Sequence, residues 1–364
     1  MTVYINGRFL TQRMSGMQRW AEQMVLALDA RLAQSPTPAA FEPVIILHPP
    51  GEVRRPPLKR IQMRQVGRRG GHPWEQLDLW AASRDGILVN LLSTGPLLHG
   101  RQVSTFHDAA VLRRPDLFSR GYATLHRTLR PLLARRSRAL LTVSQFSAGE
   151  LAECLGVDRG RFAVAPNAAD HILTLTSDPS ILAKRGLQPG QYGLCVGNQT
   201  PNKNVATAIA AFAGLNDPSM KLALVGAGDA RVFGDLSLSD HPGVVPMGYV
   251  SDEELKALYE NARFLCFPSR YEGFGIPVLE AMALGCPVIA SDAAAVPETA
   301  GDAALLVGPD DVAGFAQAMA RVIGDPALAA DLQSRGRARA AVFGWDRSAA
   351  VLERVLVEMS GGAA

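Results

Sequence analysis

The stretch Pro268-Ser-Arg-Tyr-Glu272-Gly-Phe-Gly-Ile-Pro277-Val-Leu-Glu280-Ala-Met-Ala-Leu-Gly285-Cys-Pro287-Val288 leaves the chain few ways to fold. Arg263 to Phe267 is a short apolar run ending at Pro268 and reads as a strand. Gly273 and Gly275 free the backbone for a tight turn and a close approach to a ligand. Pro277 suits the first turn of a helix. Gly285 and Pro287 stop that helix, and Val288-Ile289-Ala290 starts the next strand. Glu272 therefore sits just before a helix N-terminus, and Glu280 about one turn inside it. The unpaired N–H groups at such an end suit a phosphate. Two acids beside it can accept hydrogen bonds from sugar hydroxyls. A sugar joined to a phosphate would meet both features together.

The rest of the chain extends this α/β pattern. Thr2 to Ile5 reads as a first strand, followed by Asn6-Gly-Arg and a loop ending Ser15-Gly16-Met-Gln-Arg19. Trp20 to Leu32 has helical periodicity, with Trp20, Met24, Ala27 and Leu28 on one face. Val44 to Leu47, Ile87 to Leu91, Gln102 to His107, Leu140 to Val143 and Phe162 to Val164 read as further strands, the third running into a loop at His107. Pro49 to Gly71 has no periodicity and reads as a long loop. Ser147-x-x-Glu150 has the spacing of a capping box for the helix through Leu155. From about Asp170 to Gly190 strand character is lost, which marks the domain boundary. The expected domains are 1–170 and 171–345. Tyr192 to Val196 then opens a second series of strands and helices. Ser251-Asp-Glu-Glu254 caps a helix within it, and Trp345 to Met359 is a final amphipathic helix. A length of 364 residues fits two domains of about 150–200 residues.

Composition narrows the function classes. No apolar run reaches the roughly 18–20 residues of a membrane span. The N-terminus lacks a signal-peptide pattern, so a cytoplasmic protein is expected. Cys154, Cys195, Cys266 and Cys286 are scattered without a Cys-x-x-Cys pair or a Cys/His cluster, so zinc is not expected and free thiols are. The net charge of +3 hides an asymmetry. Residues 1–150 hold 21 Arg and Lys against 10 Asp and Glu, whereas residues 151–364 hold 16 against 24. A basic first half suits an anionic partner, whether a membrane surface, a lipid diphosphate or nucleic acid. Equally, it fits an arginine-rich composition with no partner implied. Nucleic acid is disfavoured by the lack of interleaved aromatics. The basic helix Tyr122 to Leu133, with Arg135, Arg136 and Arg138 after it, reads either as a face for anionic lipid or as solvated surface.

Two polar residues stand at positions where chemistry is usually found. His107 follows a strand at its carboxyl end, where open α/β sheets bind ligands. Lys203 lies in a loop between a strand end and a helix start, where a cation can stabilise a departing diphosphate. Val225-Gly226-Ala-Gly228 also resembles a dinucleotide-binding turn, but Arg231 replaces the third glycine and argues against an oxidoreductase.

Taken whole, the Glu272–Glu280 string resembles the Glu-x7-Glu signature of retaining glycosyltransferases, specifically glycosyltransferase family four. That family has the GT-B fold. The resemblance implies two Rossmann-like domains facing across a cleft, with the last helix (about 346–364) crossing back to the first. It implies that Gly16 and Arg19, which match a Gly-x-x-Arg loop, face the donor phosphates. His107-Asp108-x6-Pro115 is similar to an element of mannosyl- and related transferases, which would put His107 beside the reacting sugar carbon. Lys203 would hold the diphosphate. Glu272 and the backbone at Gly273, Phe274 and Gly275 would hold the donor sugar hydroxyls. Glu280 would bind the nucleotide ribose, and Tyr249 and Val250 would face the base. Asn198 stands where the family typically has a second phosphate-binding Arg, a departure within the donor site. The chain carries no Asp-x-Asp motif, so no metal or other cofactor is expected. GDP-mannose is the first donor expectation, with UDP-, dTDP- or GDP-linked deoxy sugars open. The implied acceptor is a saccharide, lipid-linked in surface polysaccharide or lipopolysaccharide synthesis at the inner face of the cytoplasmic membrane. A non-catalytic GT-B protein that binds sugar nucleotides, or a GT-B nucleotide-sugar epimerase, remains as an alternative.

Overall fold

Short apolar runs separated by helices can cover both faces of a sheet only if the strands run parallel. The computed structural model, which describes residues 1–35, 39–197, 200–226 and 243–361, has that arrangement twice. The chain divides into one unit of Met1–Asn167 with Trp345–Ala364, and another of Ala168–Gly344.

In the first unit the strands are β1 (Val3–Asn6), β2 (Val44–His48), β3 (Gln62–Gln65), β4 (Ile87–Asn90), β5 (Gln102–Thr105), β6 (Ala139–Thr142) and β7 (Phe162–Val164). They form one sheet in the order β3-β2-β1-β4-β5-β6-β7, every pair parallel. In the second unit they are β8 (Tyr192–Val196), β9 (Lys221–Val225), β10 (Val244–Gly248), β11 (Phe264–Phe267), β12 (Val288–Ser291) and β13 (Ala304–Val307). Their order is β10-β9-β8-β11-β12-β13, again all parallel. Each sheet is wound outward in both directions from its first strand. The order therefore reverses between β1 and β4, and between β8 and β11. In open α/β sheets the crevice outside the carboxyl ends at such a reversal is the place where ligands bind.

The periodic helices fold as read. Gly16–Gln34 buries Trp20, Met24 and Leu28 along one stripe. Trp345–Met359 packs on it, and belongs to the first unit although it ends the chain. Leu352 and Leu356 on this last helix are buried at 1% and 0% exposure, and Arg31 pairs with Glu353 (2.6 Å) and Asp346 (2.8 Å). Ser251 and Glu254 form a reciprocal capping box on Asp252–Asn261.

Two local expectations are corrected. The loop from Pro49 to Gly71 contains the edge strand β3. Its sequence Gln-Met-Arg-Gln has no buried face to betray it, since one side pairs with β2 and the other is largely exposed. The helix through Leu155 is capped by Ser144, whose hydroxyl accepts from Ser147 N–H (2.9 Å). Ser147 is instead buried inside the first turn and donates to the His107 carbonyl (3.2 Å). Among the described residues the polar boundary segment has no strand, as read, and holds two short helices, Asp170–Leu173 and Ser180–Lys184.

Candidate functional site

The reversal in the second sheet is built by two loops. One leaves β8 and passes through the turn Pro201–Lys203 into the helix Val205–Ala213. The other leaves β11 and passes through Pro268 to Gly275 into the helix Ile276–Ala283. Gly275 caps that helix at φ 102°, a conformation that side chains rarely adopt, so the turn requires glycine. Asn204 takes the left-handed conformation (φ 54°) that Asn tolerates, and its amide donates to Pro268 O (3.1 Å) and Pro309 O (2.6 Å). Arg270 N–H donates to Asn202 O (2.7 Å). The loops are thus tied to each other across the reversal.

These ties bring Lys203 and Glu272 together. Lys203 Nζ donates to Glu272 Oε1 at 2.6 Å, with the side chains 21% and 13% exposed. Ser269 Oγ lies 2.6 Å from the same oxygen. Lys203 Nζ also stands 5.7 Å from the centre of the Phe267 ring, a cation–π contact. Glu272 Oε2 has no partner among the described residues. The pair places a cation and a half-satisfied carboxylate at the mouth of the sheet, about one loop from a helix N-terminus.

Glu280 lies deeper, on the helix that follows, and is 5% exposed. Tyr259 Oη donates to its Oε2 (3.2 Å), and His171 Nε2 stands 3.3 Å from its Oε1. Neither neighbour carries a sequence signal. His171 sits in the polar boundary segment, and Tyr259 on the helix after the capping box. Phe274 packs into the core at 4% exposure, edge-on to Phe343 (5.4 Å), while its carbonyl accepts from Thr299 Oγ1 (2.6 Å). Its side chain anchors the loop, leaving the backbone of Gly273 and Gly275 on either side of it. Past the end of β10, Tyr249 is 75% exposed and Val250 buried. Asn198 lies outside the described residues.

Gly16, Arg19 and His107 belong to the first unit. Gly16 opens the helix Gly16–Gln34, and Arg19, in its first turn, is half-buried. His107 is 6% exposed, with Nε2 donating to Leu91 O (2.9 Å). The ring meets Trp20 edge-on at 5.0 Å, and Trp20 in turn donates from Nε1 to Ala165 O (3.2 Å). Burial lowers the His107 pKa despite the backbone hydrogen bond. A neutral imidazole with Nε2 committed to a carbonyl can orient a group or accept a hydrogen bond at Nδ1. It is not set up to carry a positive charge.

Residues 14–172 match the family described as Glycosyltransferase Family 4, and residues 190–325 the family described as Glycosyl transferases group 1. The chain is 30% identical over 261 residues to the O-antigen chain mannosyltransferase B of Escherichia coli, covering 68% of this chain and 67% of that protein. It is 32% identical over 234 residues to the O-antigen chain mannosyltransferase RfbU of Salmonella typhimurium, covering 63% of this chain and 62% of that one. The matches thus span about two thirds of these relatives' length. Among solved structures, sucrose-phosphate synthase from Thermosynechococcus elongatus superposes with a TM-score of 0.74 at 20% identity, covering 99% of both chains.

Proposed function

This chain belongs to glycosyltransferase family 4 and is a glycosyltransferase of GT-B fold, and from that premise we propose that it transfers mannose from GDP-mannose to a saccharide acceptor with retention of configuration. The observation that carries the reading is the Lys203–Glu272 pair at the reversal of the second sheet. In the free protein each is the other's counter-ion. A bound donor offers both a better partner: its diphosphate takes Lys203, and its sugar hydroxyls take Glu272. Lys203 then faces the charge that grows on the leaving group in the transition state, where a fixed cation has most effect. The helix N-terminus at Ile276 adds partial positive charge, so the reading requires no metal. Glu280, steadied by Tyr259 and His171, accepts from the ribose hydroxyls. The acceptor oxygen attacks the anomeric carbon from the side the diphosphate leaves. The bond from that carbon to the phosphate oxygen breaks, and the acceptor proton passes to the departing phosphate. His107, buried and with Nε2 committed to a carbonyl, suits orienting a hydroxyl rather than supplying charge.

The relatives that match are named for O-antigen mannose transfer, which supports mannose as the sugar and a lipid-linked polysaccharide precursor as the acceptor. Peripheral attachment to an anionic membrane belongs to the same proposal. The helix Arg120–Arg136 carries five arginines and no acid, and exposes Tyr122, Leu125 and Leu132 at 40–43% among them. A basic face with a few apolar residues suits anionic lipid.

The test is thermal-shift titration with GDP, UDP, dTDP and ADP and their sugars, repeated with Lys203→Ala and Glu280→Ala. A ligand at a hundred times its dissociation constant adds about 2.7 kcal/mol. GDP-mannose should stabilise the wild type, and both substitutions should remove the shift. Binding of GDP-mannose without release of GDP in the presence of lipid-linked saccharide would leave a sugar-nucleotide-binding protein. Preference for another nucleotide would replace the donor.

A further inference from the structure

The first sheet has its own reversal, between β1 and β4, and a second polar assembly stands there. It rises in layers from the sheet ends toward solvent. Asn6 and Asn90, the last residues of the two strands, are joined by Asn6 Nδ2 donating to Asn90 Oδ1 (3.1 Å). Asn6 Nδ2 also donates to Glu75 Oε1 (3.0 Å), which accepts from Thr94 Oγ1 as well (2.8 Å). The other oxygen, Oε2, takes Arg8 Nη1 (2.7 Å) and His72 Nδ1 (3.0 Å). Gly7, between Asn6 and Arg8, is required by the close approach of β2, since a Cβ there would meet Leu47 O at 2.6 Å. Exposure climbs through the assembly: the Glu75 side chain is 1% exposed, Arg8 18% and His72 35%.

Glu75 is saturated, with two donors on each oxygen. Burial alone would raise its pKa, but the hydrogen bond from His72, the charge of Arg8 and the bonds from Asn6 and Thr94 hold it below the ordinary range. It is a fixed, ionised base on which the other residues are mounted. Arg8 spends only Nη1 on its neighbours; Nε and Nη2 have no partner among the described residues. A mostly buried guanidinium is thereby locked in place with its second edge unused. The next residue along from Thr94, Ser93, has a buried hydroxyl that also lacks a partner among the described residues. The surrounding field is positive: after burial, the charges of Arg130, His72 and Arg8 push the nearby His126 down to about 4, against Glu75 alone.

We infer that the free edge of Arg8, with His72 beside it, is a binding site for a phosphate or carboxylate group carried by the acceptor. Everything the assembly still offers on Arg8 is a donor, and the two N–H groups of a guanidinium edge match two oxygens of one anion. A neutral sugar hydroxyl presents one oxygen and would use half of that edge. The position, outside the carboxyl ends at a sheet reversal, is where such a fold receives ligands. Calling the anion part of the acceptor rests on the transferase reading; the site itself does not.

The experiment is calorimetric titration with inorganic phosphate, with glucuronate and with methyl α-mannoside, at low salt, on the wild type, Arg8→Lys, His72→Ala and Lys203→Ala. Arg8→Lys keeps a cation on Glu75 but loses the forked edge. It should weaken phosphate or glucuronate by about tenfold while leaving GDP affinity unchanged. Lys203→Ala should do the reverse. Tighter phosphate points to a phosphate-bearing lipid acceptor, tighter glucuronate to an acidic saccharide. Anion binding that follows Lys203 and ignores Arg8 overturns the site, and so does a mannoside that loses as much as the anions do in Arg8→Lys. If Arg8→Lys fails to fold, His72→Ala decides, since Glu75 there keeps Arg8, Asn6 and Thr94. A loss of about threefold is expected, and no loss overturns the proposal. Phosphate that tracks Arg8 in a protein that binds no GDP would sink the donor reading and leave this one standing.

Discussion

Replacing Lys203 by Met separates what the Lys203–Glu272 pair does for stability from what it does for the reaction. Breaking a fully buried ion pair costs about 3–5 kcal/mol, and an exposed one about 0–1. With side chains 21% and 13% exposed, this pair lies between. Glu272 keeps the nearby Ser269 hydroxyl when the cation goes. A loss of about 2 kcal/mol follows, and in a unit of this size that lowers the melting temperature by about 4–8 °C. Adding Glu272→Gln removes the stranded charge, so the double variant should recover most of that loss. Activity should behave differently. A group that stabilises developing charge contributes about 100–1,000-fold in kcat, and restoring stability does not restore it. The assay is calorimetric melting of the three proteins beside GDP release from GDP-mannose. Near wild-type turnover in Lys203→Met would refute the placement of the leaving group. Full loss of turnover that the double variant regains would show that Lys203 acts on folding alone.

Tyr259→Phe and His171→Ala each free one oxygen of Glu280. Each should weaken GDP binding about three- to tenfold, and the pair together by less than the product, because both act through one carboxylate; isothermal titration with the double variant reads this. Acid should destabilise the first unit. The pKa values of His99 and His107 are lowered chiefly by burial, and that of His126 is brought down to about 4 by burial and the charges of Arg130, His72 and Arg8. These residues are neutral when folded and titrate near 6.5 when unfolded. Their contribution is therefore complete above about pH 6.5 and lost as pH falls below it, for His126 down to about pH 4, by up to about 1.4 kcal/mol per histidine per pH unit. Urea midpoints at pH 7 and pH 5 measure the loss, and His126→Gln should flatten it. Reversing Arg120 and Arg127 to Glu should release the protein from phosphatidylglycerol vesicles, by at least fivefold per site on sedimentation, and should leave its melting temperature within about 2 °C of wild type.

The string from Pro268 to Val288 could be read because its structure is set locally. Proline and glycine punctuate it, and those residues act through their own φ angles wherever they stand. The same holds for the burial of Trp20, Met24 and Leu28 at every fourth position, and for the box at Ser251. Where the reading failed, the deciding partner was distant or the local signal was ambiguous. The sequence points to Ser147, but Ser144 caps the helix, because the helix starts three residues earlier, directly after β6. Gln62 to Gln65 becomes a strand only because β2 offers it an unpaired edge. The site divides in the same way. Lys203 and Glu272 could each be placed after a strand, but 69 residues separate them, and their 2.6 Å contact exists because β8 and β11 are neighbours in the sheet. His171 and Tyr259 had no pattern at all, since each gains its role only from the position of Glu280. Arg8 and Glu75, 67 residues apart, are a matching case in the other sheet. In both units the loops can be located from the sequence, whereas the charged pairs at the reversals follow from strand order. A charge placed by strand order keeps its position when its neighbours in sequence change. The Lys203–Glu272 geometry should therefore survive substitutions in the Asn198 loop that alter nucleotide affinity, provided β8 and β11 stay paired.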